Sequence, residues 1–162
     1  MKIYNKQPAH VTKHSSCGVI VPGVDTIAVS LANCCRPIPG DPIIGYISKG
    51  QGVKVHRADC PNIVNEKKRL IPVQWEEGLD EKQYEVNLII HSDDRNYLLS
   101  DIVTTLQQCN VYLKHVDSAV DDGNLEATTK LTVSVKNAAH LQNLISNLKK
   151  VRSVNEVIRT IQ

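Results

Sequence analysis

Cys34 and Cys35 stand side by side, and His56 and Cys60 follow in the stretch LANCCRPIPGDPIIGYISKGQGVKVHRADCPN. Three thiols and one imidazole are a donor set that a tetrahedral zinc ion accepts. His-x-x-x-Cys is short enough for a strand-to-helix corner to bring both side chains to one point. The adjacent thiols are harder to use together, because successive side chains of a strand point to opposite faces. Both can ligate only from an irregular loop, and RPIPGDP, with three prolines and a glycine, predicts one directly after them. Asp59 is a reserve ligand or a partner for the histidine. The spacing fits a second arrangement equally well, with Cys35 and Cys60 buried as small apolar residues and His56 at the surface.

A Cys–His pair beside Asp59 also raises the question of nucleophilic catalysis. Nothing nearby resembles a prepared oxyanion site, and four converging ligands would saturate a metal ion, so no catalytic role is expected. The chain has no Gly-x-x-x-x-Gly-Lys-Ser/Thr loop, which removes nucleotide hydrolysis by that route.

The elements that must position these residues are short apolar runs broken by turn signals. Residues 1–24 are polar until GVIV and read as a leader or linker. Within 25–75, strands are expected at Ile27–Leu31, Ile43–Ile47, Gly52–His56 and Leu70–Trp75. Ser-Lys-Gly-Gln-Gly makes a hairpin connection whose glycines can take positive φ. Asp59 can cap a short helix through about Asn65, with Pro61 in its first turn. Residues 76–83 (EEGLDEKQ lies here) are charged and form a linker.

The second half, 84–162, has a cleaner rhythm. Strands are expected at Tyr84–His91, Val111–Val120, Leu125–Val135 and Val154–Ile161. Helices are expected at Tyr97–Cys109, on the apolar residues Leu98, Leu99, Ile102, Val103 and Leu106, and at Ala138–Lys150, on Leu141, Leu144, Ile145 and Leu148. The order β-α-β-β-α-β is the ferredoxin-like split motif. The fold class is therefore α+β: a small Cys/His-containing α/β unit, then a ferredoxin-like domain.

Composition narrows the rest. With 41% hydrophobic residues, 4% aromatics and no Phe, cores must be built from Val, Ile and Leu. A unit of about 50 residues buries little apolar surface, so a metal would help it fold. Five cysteines, two of them adjacent, make a poor disulfide framework. Cys17 and Cys109 read as small unpaired residues. No apolar run reaches the roughly 18–20 residues of a membrane span, and no secretion signal is apparent, so a cytoplasmic protein is expected. Net charge is +2, but residues 1–78 hold ten Lys/Arg against six Asp/Glu, and residues 79–162 nine against eleven. The basic excess accompanies the cysteine cluster. Lys49, Lys54 and Arg57 flank the glycine hairpin and are the candidates for contact with a phosphate backbone.

The run GVIVPGVDTIAVSLANCCRPIPGDPIIGYISKGQGVKVHRADCPN resembles the C-terminal region of the long Rel/SpoT proteins, bifunctional (p)ppGpp synthetase/hydrolases of the bacterial stringent response. There a small zinc-finger or ribosome-intersubunit domain precedes an ACT domain. YEVNLIIHSDDRNYLLSDIVTTLQQCNVYL through VNEVIRTIQ is similar to that ACT domain, and the resemblance covers about residues 18–162. It implies a zinc ion held by Cys34, Cys35, His56 and Cys60. It also implies contact with ribosomal RNA and tRNA, self-association as a homodimer, and control of upstream catalytic domains that this chain does not contain. Amino-acid sensing by the ACT domain is the alternative. Ligand-binding ACT domains often carry glycine in the first strand-to-helix turn, whereas this turn reads Asp94-Arg95-Asn96-Tyr97. Asp94, Arg95 and Asn96 are where such a ligand would sit, and the Tyr97 ring would crowd it.

Overall fold

The computed structural model describes residues 17–23, 27–50, 52–78 and 82–160. Residues 1–16 and 24 of the expected leader, Gln51 of the hairpin, residues 79–81 of the expected linker and Ile161 of the last expected strand lie outside the described residues. The chain divides into two compact units between Glu81 and Lys82.

The first unit contains β1 (Val19–Ile20), β2 (Val29–Leu31), β3 (Ile43–Ser48), β4 (Gly52–Arg57), β5 (Leu70–Ile71) and β6 (Gln74–Trp75). Its main sheet has the order β2-β4-β3-β5, while β1 and β6 form a separate antiparallel pair. β2 runs parallel to β4, and β3 is antiparallel to both neighbours. The β3–β4 hairpin pairs Ile43 with Arg57 at its open end and Ser48 with Gly52 at its turn. Gly50 and Gly52 take φ of 70° and 79°, the left-handed values that the turn needs. Gly52 is also fixed by space, since a Cβ there would collide with the Ala28 carbonyl oxygen.

Val53 and Val55 alternate onto one face of β4 and bury themselves against Val19 and Val21. Those last two valines fall within the expected leader, yet they are core residues. GVIV gave no local strand signal because its partner strand, β6, lies more than fifty residues downstream. Leu70–Trp75 is likewise two strands rather than one. Pro72 has no N–H to continue a ladder, so β5 stays on β3 and β6 crosses to β1. The expected helix after Asp59 is a run of turns, in which the Ile63 and Val64 N–H groups both donate to the Cys60 carbonyl.

The second unit contains β7 (Tyr84–Asp93), α1 (Leu98–Gln108), β8 (Tyr112–Asp121), β9 (Glu126–Val135), α2 (Ala138–Lys149) and β10 (Val154–Arg159). The sheet order is β10-β7-β9-β8 with every pair antiparallel. This is the expected β-α-β-β-α-β motif, and it confirms the α+β class. Alternate residues Tyr84, Val86, Leu88 and Ile90 of β7 and Ala127, Thr129, Leu131, Val133 and Val135 of β9 are buried. They meet Leu98, Ile102 and Leu106 of α1 and Leu141, Leu144, Ile145 and Leu148 of α2, all buried too.

Leu99 and Val103, expected on the inner stripe of α1, are 41% and 40% exposed. Leu125, expected to open the inward face of β9, sits in the β8–β9 turn at φ 58° and is also exposed. Asn137 caps α2 by accepting the His140 N–H at 2.8 Å. The His140 ring then ties the two helices. Its Nδ1 accepts the Lys136 N–H, so Nε2 carries the proton and donates to the Cys109 carbonyl at 2.8 Å.

Candidate metal centre

β2 and β4 run side by side, so the chain leaving β2 and the end of β4 finish at the same edge of the sheet. Asn33–Cys35 form a turn directly after β2, closed by the Arg36 N–H donating to the Ala32 carbonyl at 3.1 Å. Arg36 follows in the left-handed region at φ 45°. Out of the strand pleat, both adjacent thiols can face the same point, which the strand alternation alone would forbid. His56 is the next-to-last residue of β4, and Cys60 begins the run of turns that follows.

The next loop is held by Asp41. Its carboxylate accepts the Ile38 N–H at 2.9 Å, its own N–H donates to the Ile38 carbonyl, and its carbonyl accepts the Trp75 indole N–H at 3.1 Å. Ile38 is fully buried beneath this loop. Trp75, the chain's single tryptophan, thus anchors the segment that carries the paired cysteines. The prolines and glycine of RPIPGDP predict the loop, but nothing local links Trp75 to it.

One ligand atom from each of Cys34, Cys35, His56 and Cys60 lies within 4.8 Å of the other three. Cys34 Sγ is 3.4 Å from His56 Nδ1 and 3.6 Å from Cys60 Sγ, and Cys35 Sγ is 3.8 Å from the same Nδ1. A tetrahedral ion with bonds of about 2.3 Å to sulfur and about 2.0–2.1 Å to nitrogen needs edges of roughly 3.8 Å between sulfurs and roughly 3.6 Å between sulfur and nitrogen. Three of the six edges therefore lie near tetrahedral spacing, the other three are within 4.8 Å, and the set could hold a metal ion. The second arrangement that the spacing left open differs in one respect, since His56 is buried with the thiols rather than lying at the surface.

The electrostatics match that use. Burial pushes the Cys35 thiol up to about 12, the neighbouring Cys34 and Cys60 add to the shift, and the Arg57 N–H donating to its Sγ at 3.2 Å opposes it. Burial, with a smaller contribution from the Lys54 charge, holds the His56 imidazole below its ordinary value, in the neutral form that binds metal. A coordinating cation supplies the positive charge that such thiols need to ionise.

The other candidate residues are placed differently. Asp59 is not part of the cluster; it is largely exposed and pairs with Arg57 at 3.0 Å. Lys49 is exposed in the hairpin turn and Lys54 is half-buried on β4. Arg57 is 15% exposed, and its Nη1 is buried without a hydrogen-bond partner, so its charge faces Asp59 more than solvent. Neither Cys17 nor Cys109 joins the cluster.

In the second unit, Asp94 and Asn96 are exposed, but Arg95 is folded inward. Its guanidinium pairs with Asp101 at 2.7 Å and donates to the carbonyls of Arg152 and Asn96. A ligand at this helix start would have to displace those bonds. Tyr97 occupies φ 66° at the helix N-cap, the conformation for which glycine is favoured, and it is 80% exposed.

No described helix is long and apolar enough to cross a membrane. Residues 19–76 match the RelA/SpoT RIS domain, and residues 80–159 match an ACT domain. The GTP pyrophosphokinase of Haemophilus influenzae is 35% identical over 151 residues, covering 91% of this chain and 20% of that protein. The GTP pyrophosphokinase of Streptomyces coelicolor is 35% identical over 88% of the chain and 17% of its own length. The bifunctional (p)ppGpp synthase/hydrolase RelA of Mycobacterium tuberculosis is 33% identical over 88% of the chain and 19% of its own. The chain spans about a fifth of the length of these relatives. With a RIS domain carrying the Cys/His cluster and an ACT domain behind it, the chain belongs to the Rel/SpoT family and corresponds to its C-terminal region.

Proposed function

We propose that this chain is a non-catalytic regulatory module of a Rel/SpoT-type enzyme, acting in the cytoplasm. Its RIS unit, closed by a structural zinc ion, contacts ribosomal RNA and tRNA, and its ACT unit serves association. Together they govern (p)ppGpp synthesis and hydrolysis by catalytic domains elsewhere in the parent protein. The observation that carries the reading is the converging Cys/His cluster beside a basic hairpin, within a RIS domain. Four protein ligands leave no open coordination position, which suits a structural ion and not a hydrolytic one. Zinc would supply cross-linking of two loops that the small valine core alone holds weakly.

Lys49 and Lys54 present the charge for phosphate contact, while Arg57 supports the corner from within. The exposed edge strand β8, with no buried residue from Tyr112 to Asp121, offers a ladder on which a second copy could pair.

Ribosome co-sedimentation across a salt series tests the contact. Affinity should fall steeply with salt, and Lys49→Ala with Lys54→Ala should weaken binding and reduce the log–log slope by about two. Binding that is indifferent to both salt and these lysines refutes it.

A further inference from the structure

The same cluster is built to form one particular disulfide. We propose that Cys34 is the oxidant-reactive thiol of the site and that Cys60 resolves it, so that a hydroperoxide converts the metal centre into a Cys34–Cys60 disulfide. The inference rests on the metal reading above for its consequence, and on sulfur geometry alone for its chemistry.

Three observations select the pair. First, access: Cys34 is the one partly exposed thiol of the cluster, whereas Cys35 is 1% and Cys60 0% exposed. A peroxide arriving from solvent meets Cys34 first. Second, reach: Cys60 Sγ lies 3.6 Å from Cys34 Sγ, so closing to a bond of about 2.0 Å needs a shift of roughly 1.5 Å, within the range of side-chain rotation. Third, strain: neighbouring Cα atoms across a trans peptide are about 3.8 Å apart, below the roughly 4.4 Å at which disulfides usually form, so a Cys34–Cys35 bridge is the strained alternative. Cys35 Sγ is further occupied by the Arg57 N–H.

The step balances as follows. The Cys34 thiolate attacks one peroxide oxygen, the O–O bond breaks, and the cysteine becomes a sulfenic acid while hydroxide leaves. The Cys60 thiolate then attacks the Cys34 sulfur, the S–S bond forms and a second hydroxide leaves. Two thiolates have lost two electrons, the peroxide has gained them, and two protons from solvent turn the hydroxides into water. Two of the four metal ligands are consumed, so Cys35 and His56 alone face the ion and it is released. A dithiol reductant reverses the change and restores the donor set.

The test uses the full 162-residue chain, purified with zinc and treated with hydrogen peroxide. Zinc release is followed with a chromogenic chelator, and unreduced peptides are mapped by mass spectrometry. The expected result is a Cys34–Cys60 cross-link formed in step with zinc release, reversed by dithiothreitol and zinc. Cys34→Ser removes a ligand as well as the reactive thiol, so its readout is the peptide map: at the same peroxide dose the Cys60 peptide should stay free of any disulfide, whereas in the Cys17→Ser/Cys109→Ser double variant the Cys34–Cys60 cross-link and zinc release should match the parent. Cross-links at Cys34–Cys35 or Cys35–Cys60, cross-links between chains, or zinc loss with only sulfinic and sulfonic products would each overturn the assignment. A protein that carries no zinc at the outset contradicts the metal reading instead, and its own peptide map still decides the disulfide.

Discussion

Removing the metal should destabilise the first unit and leave the second unchanged. The fully or nearly fully buried cluster of the first unit is Val19, Val21, Val53 and Val55, each contributing on the order of 1.5–2 kcal/mol by burial. That is roughly 6–8 kcal/mol against the ordering of a small domain, whereas a structural zinc site of this type contributes apparent binding energies of about 10–16 kcal/mol. At a free zinc concentration 100-fold above the dissociation constant, the metal-bound unit gains about 2.7 kcal/mol over the metal-free one. For a domain of 60–100 residues each kcal/mol moves the melting temperature by about 4–8 °C, so the expected shift is roughly 10–20 °C. The chain separates the two readouts by itself. Trp75 is the only tryptophan and belongs to the first unit, while α1 and α2 belong to the second. Tryptophan emission should melt far earlier after chelation, and helical circular dichroism should melt unchanged. Coincident tryptophan transitions with and without chelator would refute the argument.

Three further outcomes follow from named contacts. Gly45→Ala would place a Cβ 2.8 Å from Val53 Cγ1 and 2.9 Å from Val73 Cγ1, so the first unit should lose about 1–3 kcal/mol, measured from its denaturant midpoint. Tyr97→Gly should stabilise the second unit by roughly 0.5–1 kcal/mol, because glycine accepts φ 66° without the steric cost an L side chain pays there; a lower denaturant midpoint would contradict this. The pH response of the metal-free chain has a definite sign. Burial holds His56 below the ordinary histidine value of 6.5, so on acidification the unfolded chain binds this proton first. Stability should fall as pH drops below about 6.5, and the fall should be smaller in His56→Ala. Urea midpoints at neutral and mildly acidic pH measure both.

The second unit was legible because its signals are local. Period-two alternation in Tyr84–Asp93 and Glu126–Val135 and helical spacing in α1 and α2 each declare an inward face within one element. Two details escaped: the partial exposure of Leu99 and Val103, and Leu125, which the turn rotates out. The first unit was less readable because its pairings are distant. Nothing in GVIV announces that Val19 will pair with Trp75, and nothing in LIPVQW announces that Pro72 divides it between two sheets.

The ligand set shows the same division. The sequence by itself determined the donors, since thiol and imidazole chemistry and the loop-forming prolines are written in residue types. It also determined the expectation that both adjacent thiols must leave the strand pleat. Only the tertiary structure decided that they meet. Convergence depends on β2 lying parallel to β4, which brings Cys34 to Cys60 across 26 positions of sequence. It also decided that Arg57 turns to Asp59, that Asp59 stays out of the cluster, and that Cys34 alone of the four keeps access to solvent. Chemistry of a donor set is a property of residues, but distance and accessibility are properties of strand pairing, and no local pattern encodes them.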